Sequence, residues 1–169
     1  LAIGGVRVTL WSRDADSARA MRETRENARY LPGVRFPDTV SVTAEMVDLV
    51  AQGTVLLAMP MQQMSHALAG WGNRLDGRIL VSCAKGIDLA TGLGGAEIIR
   101  RACPSAIPAL LTGPSFAADI ARGLPTALTL ACADPGVAEL LQHELSTTSL
   151  RLYRTTDVTT LDETFEVVF

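Results

Sequence analysis

Apolar residues along the chain follow two alternating patterns. Short, mostly apolar runs predict strands, and the stretches between them, with apolar positions at helical spacing, predict helices. The predicted strands cover residues 6–11, 40–42, 54–58, 78–83, 107–112, 127–132 and 150–153. The predicted helices cover residues 16–28, 43–51, 62–69, 92–102, 115–122 and 135–145. Each strand except the last is therefore followed by a helix.

This alternation predicts the α/β class. Many of the strands are apolar on both faces, which is typical of a Rossmann-like, doubly wound, mainly parallel sheet with helices on both faces. Ligands of such sheets bind beyond the carboxyl ends of the strands, so we expect binding residues directly after strands. The segments in those positions are Trp11-Ser12-Arg13-Asp14, Ala58-Met59-Pro60-Met61-Gln62, Cys83-Ala84-Lys85-Gly86 and Leu111-Thr112-Gly113-Pro114-Ser115-Phe116.

Composition narrows the class of partner. With 15 basic and 18 acidic side chains the formal net charge is −3, and 48% of residues are hydrophobic, which indicates a globular chain. Mild acidity argues against nucleic acid as the partner, and no apolar run is long enough to predict a membrane span. Cys83, Cys103 and Cys132 are odd in number and lack CxxC spacing, so we expect a reducing, cytoplasmic compartment, no disulfide framework and no metal site.

Lys85 is the only lysine among the 15 basic residues. It follows an apolar strand and lies between Ala84 and Gly86, where its ammonium could reach over the sheet edge. A compact cation of this kind suits phosphate binding or polarisation of a carbonyl oxygen. The alternative is an ordinary surface lysine in a loop.

Another candidate anion site follows a later strand. Gly113, Pro114 and Ser115 are predicted to open a short helix, whose free N–H groups would form an anion cradle with the Ser115 hydroxyl. The alternative is that Ser115 is only a helix N-cap.

Three residues at other strand ends suit a dinucleotide. Arg13 follows a strand at the position where Rossmann-like folds meet the adenine ribose, and an arginine there can receive a 2′-phosphate. Its alternative is a solvated arginine. Asp14 either reads the ribose or caps a helix, and Pro60 either borders a cofactor or simply makes a turn.

The other charged residues point to no second site. Arg19 and Arg22 lie four residues before glutamates on a predicted helix, so a solvated, ion-paired face is expected. His66 and His143 fall at predicted surface positions. No Ser/His/Asp or Cys/His constellation is present in the pattern.

Four motifs together resemble bacterial NAD(P)-dependent glycerol-3-phosphate dehydrogenase. They are RENARYLPG at residues 25–33, CAKGI at 83–87, LTGPSFA at 111–117 and ARGLPTA at 121–127. Their order and approximate spacing match that family from residue 6 to about residue 158. The resemblance implies reversible hydride transfer between NAD(P)H and dihydroxyacetone phosphate, giving sn-glycerol 3-phosphate for phospholipid synthesis.

The resemblance also implies roles for individual residues. Trp11, Ser12 and Arg13 match the family's segment at the NADPH adenine ribose. Lys85 matches a lysine that contacts both cofactor and glycerol phosphate. The remaining implied contacts are Gly113 and Ser115 with the substrate and Ala117 with the cofactor.

The chain departs from the family pattern at both ends. Leu1-Ala2-Ile3 matches the family's first helix, so the first strand and the GxGxxG turn are missing. After Val158 the family has a glycine-rich segment, a general acid/base lysine and an all-helical domain. We therefore expect a dinucleotide-binding domain over residues 1–158 and a divergent tail over residues 159–169, largely without the C-terminal domain.

Three explanations of this departure are open: the chain is a fragment, it is a sequence of ordered residues with gaps closed up, or it is a degenerate paralogue. The clipped N-terminal helix and the abrupt tail favour the second. The 169 residues alone are expected to be inactive, because the proton donor and the pyrophosphate cradle are absent. Two alternative functions remain: an inactive α/β module that binds a nucleotide or a partner, and a related dehydrogenase of another small hydroxy compound. The resemblance leaves a homodimer open.

Overall fold

The computed structural model describes residues 1–158, with the backbone alone at residues 3, 72 and 73. Seven strands and six α-helices alternate along these residues. The strands are β1 Val8–Trp11, β2 Val40–Thr43, β3 Thr54–Leu57, β4 Ile79–Ser82, β5 Ile107–Thr112, β6 Thr126–Cys132 and β7 Leu150–Thr155. The helices are α1 Ala15–Thr24, α2 Met46–Val50, α3 Met61–Trp71, α4 Gly95–Ala102, α5 Ala117–Ala121 and α6 Pro135–Leu145. The predicted tail, residues 159–169, lies outside the described residues.

The chain divides into two compact units. The first comprises Leu1–Ala51, Ser115–Thr126 and Glu144–Arg151. The second comprises Gln52–Pro114, Ala127–His143 and the residues from Leu152 onward. Each unit is described by itself below.

The first unit contains a parallel pair of strands, β1 and β2, in a register that runs from Val8 opposite Val40 to Trp11 opposite Thr43. Ala18 on α1 is fully buried against Val40 and Val42 of β2. Burial of these apolar side chains is the main stabilisation of this small core.

Helix α1 ends at Thr24, not at residue 28 as the periodicity predicts. Arg25 leaves the helix in the left-handed conformation, with φ of 59°. Its guanidinium donates to the carbonyls of Val40 (2.9 Å) and Pro37 (2.6 Å). These two bonds fix the chain after the helix end against residues 37–40, which offsets the backbone strain at Arg25.

The expected ion-paired face of α1 is only partly correct. Arg19 is exposed and pairs with Asp16 at 2.6 Å, one turn before it. Arg22 instead donates to the carbonyl of Val42 on β2 at 3.3 Å. Glu26 lies beyond the helix end and accepts a hydrogen bond from the Gly33 N–H at 2.7 Å.

The second unit is built on a five-stranded sheet in the order β3-β4-β5-β6-β7. Strands β3, β4 and β5 are parallel, and β6 runs antiparallel to β5. The predicted mainly parallel, Rossmann-like sheet is thus confirmed. Leu80 and Val81 of β4 are fully buried, as are Met64 of α3 and Ile99 of α4. Strand β4 is buried because it is central to the parallel part of the sheet.

The helix predicted over residues 115–122 is shorter than expected. Its N-cap position is Phe116, whose backbone is extended with φ of −107° and ψ of 139°, and α5 starts only at Ala117. Ser115 therefore lies before the cap, and its alternative assignment as the N-cap is wrong.

Candidate functional site

Lys85 and Gly113 are brought together although they are far apart in sequence. The Cys83 N–H donates to the Leu57 carbonyl at 3.3 Å, which continues the β3–β4 pairing one residue beyond β4. Lys85 follows in the exposed loop, and its Nζ donates to the Gly113 carbonyl at 3.0 Å. Two residues predicted to contact the same substrate thus lie side by side at the carboxyl ends of β4 and β5.

Gly113 occupies a position where a side chain would crowd its neighbours. A Cβ there would lie 2.8 Å from Leu128 Cδ2 and 3.3 Å from the Ala127 carbonyl oxygen, and φ is 154°. The absence of a side chain lets the backbone after β5 pass close to β6.

The loop after Lys85 is organised around a buried carboxylate. Asp88 is 5% exposed and accepts hydrogen bonds from Thr91 Oγ1 at 2.7 Å and Ser65 Oγ at 3.2 Å. These bonds stabilise the ionised form, and the Thr91 bond contributes most to lowering the pKa of Asp88. Sequence reasoning did not single out Asp88, although its position three residues after Lys85 in a strand-end loop was a usable signal.

Gln62 joins the end of β3 to the same loop. It follows Pro60 in the first turn of α3; its Nε2 donates to the Ile87 carbonyl at 2.8 Å, and its Oε1 accepts from the Leu89 N–H at 2.9 Å. Pro60 and Lys85 therefore follow adjacent parallel strands, and the loop after Lys85 is hydrogen-bonded to the helix that starts after Pro60.

The Cys83 thiol stays protonated in this environment. Burial raises the pKa of its thiol to about 11, so the thiol is neutral near pH 7. Among residues 1–158 no cluster of three or more His, Cys, Asp or Glu side chains could hold a metal ion. No helix in the same range is both long and apolar enough to cross a bilayer.

The first unit carries the predicted ribose segment. The Trp11 indole Nε1 donates to the Ala44 carbonyl at 3.1 Å, and the Ser12 N–H donates to the Thr43 carbonyl at 2.9 Å. Arg13 follows with an exposed side chain. The segment beyond β1 is therefore fixed up to Ser12, and the guanidinium after it faces solvent.

Asp14 caps helix α1, which confirms the simpler of its two assignments. Its carboxylate accepts from the Asp16 and Ser17 backbone N–H groups, at 3.1 and 3.3 Å, and from the Ser17 hydroxyl at 2.5 Å. The Ser17 hydroxyl is the main reason that the pKa of Asp14 is lowered. The carboxylate thus serves the helix terminus.

The last two predicted residues, Ser115 and Ala117, also belong to the first unit. Ala117 is exposed and starts α5, a helix of 5 residues. A helix this short supplies a weak dipole, so the predicted anion cradle at its start is not supported as a helix N-terminal site.

The fold defines the class first: this is a Rossmann-like α/β domain with a mainly parallel sheet. Residues 1–138 match the family described as the NAD-dependent glycerol-3-phosphate dehydrogenase N-terminus. Because the match covers most of the chain, the chain belongs to that family.

Individual relatives agree with this assignment. Over 152 residues the chain is 60% identical to a glycerol-3-phosphate dehydrogenase [NAD(P)+] of Paracoccus denitrificans, covering 90% of this chain and 46% of that protein. The corresponding protein of Roseobacter denitrificans is 54% identical, with 89% and 47% covered. The crystal structure of glycerol-3-phosphate dehydrogenase from Coxiella burnetii superimposes with a TM-score of 0.86 at 26% identity, covering 94% of this chain and 49% of that one. The chain spans about half the length of the curated relatives it matches.

Proposed function

We propose that this chain is the cofactor-binding part of an oxidoreductase that interconverts sn-glycerol 3-phosphate and dihydroxyacetone phosphate with NAD(P)H. The observation that carries the proposal is the Lys85 to Gly113 contact, at 3.0 Å, at the carboxyl ends of parallel strands. It joins the CAKG and GPSFA motifs in a family named for this activity. In this proposal residues 1–158 form the dinucleotide-binding domain. The enzyme's product, glycerol phosphate, would be used for phospholipid synthesis.

The residues beyond β1 have the chemistry that a phosphorylated dinucleotide requires. An exposed guanidinium suits a 2′-phosphate, since its planar donors pair with phosphate oxygens. We assign Arg13 to the ribose end of NADP, with Trp11 and Ser12 beside it, and Pro60, Lys85 and Ala117 to further cofactor contacts. The nicotinamide, when bound, accepts or supplies the hydride.

Lys85 would carry the electrostatic part of the reaction. Its ammonium can turn from the Gly113 carbonyl toward the substrate, where it balances phosphate charge or stabilises charge that develops on the carbonyl oxygen. Gly113 and Ser115 are assigned to substrate contacts on either side of Pro114. A side chain at residue 113 would meet Leu128, so glycine there favours the close position of the Gly113 carbonyl beside Lys85.

The cellular compartment and the oligomeric state are separate parts of the proposal. Cys83, Cys103 and Cys132 are free thiols in the structure, which favours a reducing cytoplasm. A homodimer stays a prediction, and sedimentation equilibrium of the purified protein checks it.

The test is an assay of the full-length protein with dihydroxyacetone phosphate and NADPH or NADH. Activity is expected with the wild type, and Lys85→Ala should lower kcat/KM at least about tenfold, roughly 1.4 kcal/mol. Arg101→Ala, which removes an exposed cation paired with Glu97 on α4, is the matched control and should keep wild-type kinetics. A wild type that binds nucleotide without turnover would instead identify an inactive binding module. Turnover only of another hydroxy compound would identify a related dehydrogenase.

A further inference from the structure

The sheet fixes the backbone before Lys85 but not the backbone after it. Upstream, the Cys83 N–H bond to the Leu57 carbonyl holds the chain against β3. Downstream lies Gly86, with φ of 83°, in a conformation that only glycine adopts readily. The direction of the Lys85 side chain therefore depends on what holds the chain after Gly86.

Gln62 provides that second attachment. Its amide bonds both Ile87 and Leu89, as donor to the one and acceptor from the other, at 2.8 and 2.9 Å. This paired bonding fixes the position of the intervening backbone as well as its distance from α3. The loop is thereby tied to a regular helix of 11 residues.

Asp88 lies between the two residues that Gln62 bonds, and it organises the remainder of the loop. Its backbone N–H donates to the Leu93 carbonyl at 2.9 Å, and its carbonyl accepts from the Gly92 N–H at 2.7 Å. Its carboxylate accepts from Thr91 and Ser65, and Ser65 lies one helical turn after Gln62 on α3. Two side chains of α3 thus reach one loop from the same helix face.

We propose that Gln62, supported by Ser65 and Asp88, is a positioning residue that holds Lys85 in register with Gly113 for the hydride-transfer reaction. The proposal rests on the proposed function, since it assumes that Lys85 acts on the substrate. In this role Gln62 acts through Lys85 by way of its bonds to Ile87 and Leu89. The same bonds join the loop after Lys85 to the helix that begins beside Pro60. A displacement of the chain at the end of β3 would therefore also displace the loop after β4.

Gln62→Ala is the variant that tests this role, and Gln63→Ala is its matched control. Both glutamines are exposed on the first turn of α3. The Gln63 side chain has no hydrogen bond within residues 1–158, so its removal should leave kinetics unchanged. Gln62→Ala should lower kcat/KM for dihydroxyacetone phosphate about tenfold, because a small misplacement of a catalytic group has a large effect on rate.

A double-mutant cycle separates positioning from a general structural effect. In a Lys85→Ala background, Gln62→Ala should cause no further loss, because the group that it positions is gone. Losses that multiply in the double variant would overturn the proposal, and so would identical kinetics of Gln62→Ala and Gln63→Ala.

Amide hydrogen exchange gives a readout independent of turnover. The Leu89 N–H, which donates to Gln62, should exchange at least about tenfold faster in Gln62→Ala, while the amides of β4 keep wild-type protection. Unchanged exchange at Leu89 would overturn the proposal even if activity fell. A wild type without dehydrogenase activity would overturn the proposed function and this inference together, whereas an active wild type with unaffected Gln62→Ala kinetics would overturn the inference alone.

Discussion

The Lys85 ammonium is held by a bond that a substrate can displace. It donates to a single backbone carbonyl at an exposed position, where water competes for the ammonium and makes the net contribution of the hydrogen bond small. A phosphate group offers full negative charge and several acceptor oxygens, which makes it the stronger partner. The Gly113 carbonyl therefore orients Lys85 in the absence of substrate, and a bound phosphate can displace that carbonyl as the partner of the ammonium.

Arg13 carries the prediction on cofactor choice. If its exposed guanidinium pairs with the 2′-phosphate, Arg13→Ala should weaken NADPH binding at least about tenfold, about 1.4 kcal/mol, and leave NADH binding nearly unchanged. Titration of each nucleotide by fluorescence or calorimetry gives the two Kd values. Arg19→Ala, which removes an exposed arginine from α1, should affect neither. Equal losses for both nucleotides would show that Arg13 does not read the phosphate.

Some residues could be found from the sequence and others could not. Lys85 and Gly113 could be found because they follow predicted strands, and strand ends of a parallel sheet converge by geometry. Gln62 bonds residues that lie 25 and 27 positions away, and Asp88 bonds Ser65 across 23 residues; these contacts depend on β3 and β4 being neighbours. The structural role of Arg25 likewise requires the carbonyls of residues 37 and 40 to lie beside the helix end.

At the scale of elements, glycines decide how closely strands and helices approach. Gly95 opens α4 directly against β4, where a Cβ would lie 2.5 Å from Ser82 Oγ. The Ser82 hydroxyl is buried without a hydrogen-bond partner in the described part of the chain. This contact leaves no space at residue 95 for a side chain. The periodicity predicts the helix from residue 92, but the φ of 70° at Gly92 keeps that residue in the preceding turn.

Two glycine-to-alanine variants should change stability in opposite directions. Gly113→Ala places a Cβ 2.8 Å from Leu128 at a φ of 154°, so it should lower the free energy of unfolding by about 1–3 kcal/mol. Gly70→Ala lies in α3 with nothing within 4 Å of the new Cβ and should raise it by up to about 1 kcal/mol. Urea denaturation followed by circular dichroism measures both. If both variants changed the free energy of unfolding by the same amount and in the same direction, the close contact of residue 113 with β6 would not determine the cost of a side chain there.

At the scale of the whole molecule, the sequence predicts the order of strands and helices but not their division into two compact units. Alternating strands and helices are local patterns, and residues 107–112 and 135–145 match β5 and α6 in both bounds. The division into two units places Ser115–Thr126 with the N-terminal residues. That grouping depends on contacts between distant segments, which hydrophobic periodicity does not encode.

Carboxylates distributed over the chain make stability depend on pH. The pKa values of Asp14, Asp88 and Glu97 are all lowered, chiefly by hydrogen bonds from Ser17, Thr91 and Arg101 respectively. A carboxylate whose pKa is lower in the folded state stabilises the fold fully above its unfolded pKa of about 4. That contribution is lost as the pH falls through the folded pKa, so the protein should lose stability on acidification below about pH 5.

Asp88→Asn isolates the buried member of this set. At pH 7 the variant should unfold at lower urea than the wild type, because an amide receives the Thr91 and Ser65 hydroxyls less strongly than a carboxylate does. The difference should shrink as the pH falls below about 4, since the wild-type carboxyl then becomes protonated and neutral like the amide. Asp38→Asn, at an exposed loop position, should follow the wild type throughout. A gap between wild type and Asp88→Asn that stays constant from pH 7 to pH 3 would show that the charge of Asp88 is not what stabilises the loop after Lys85.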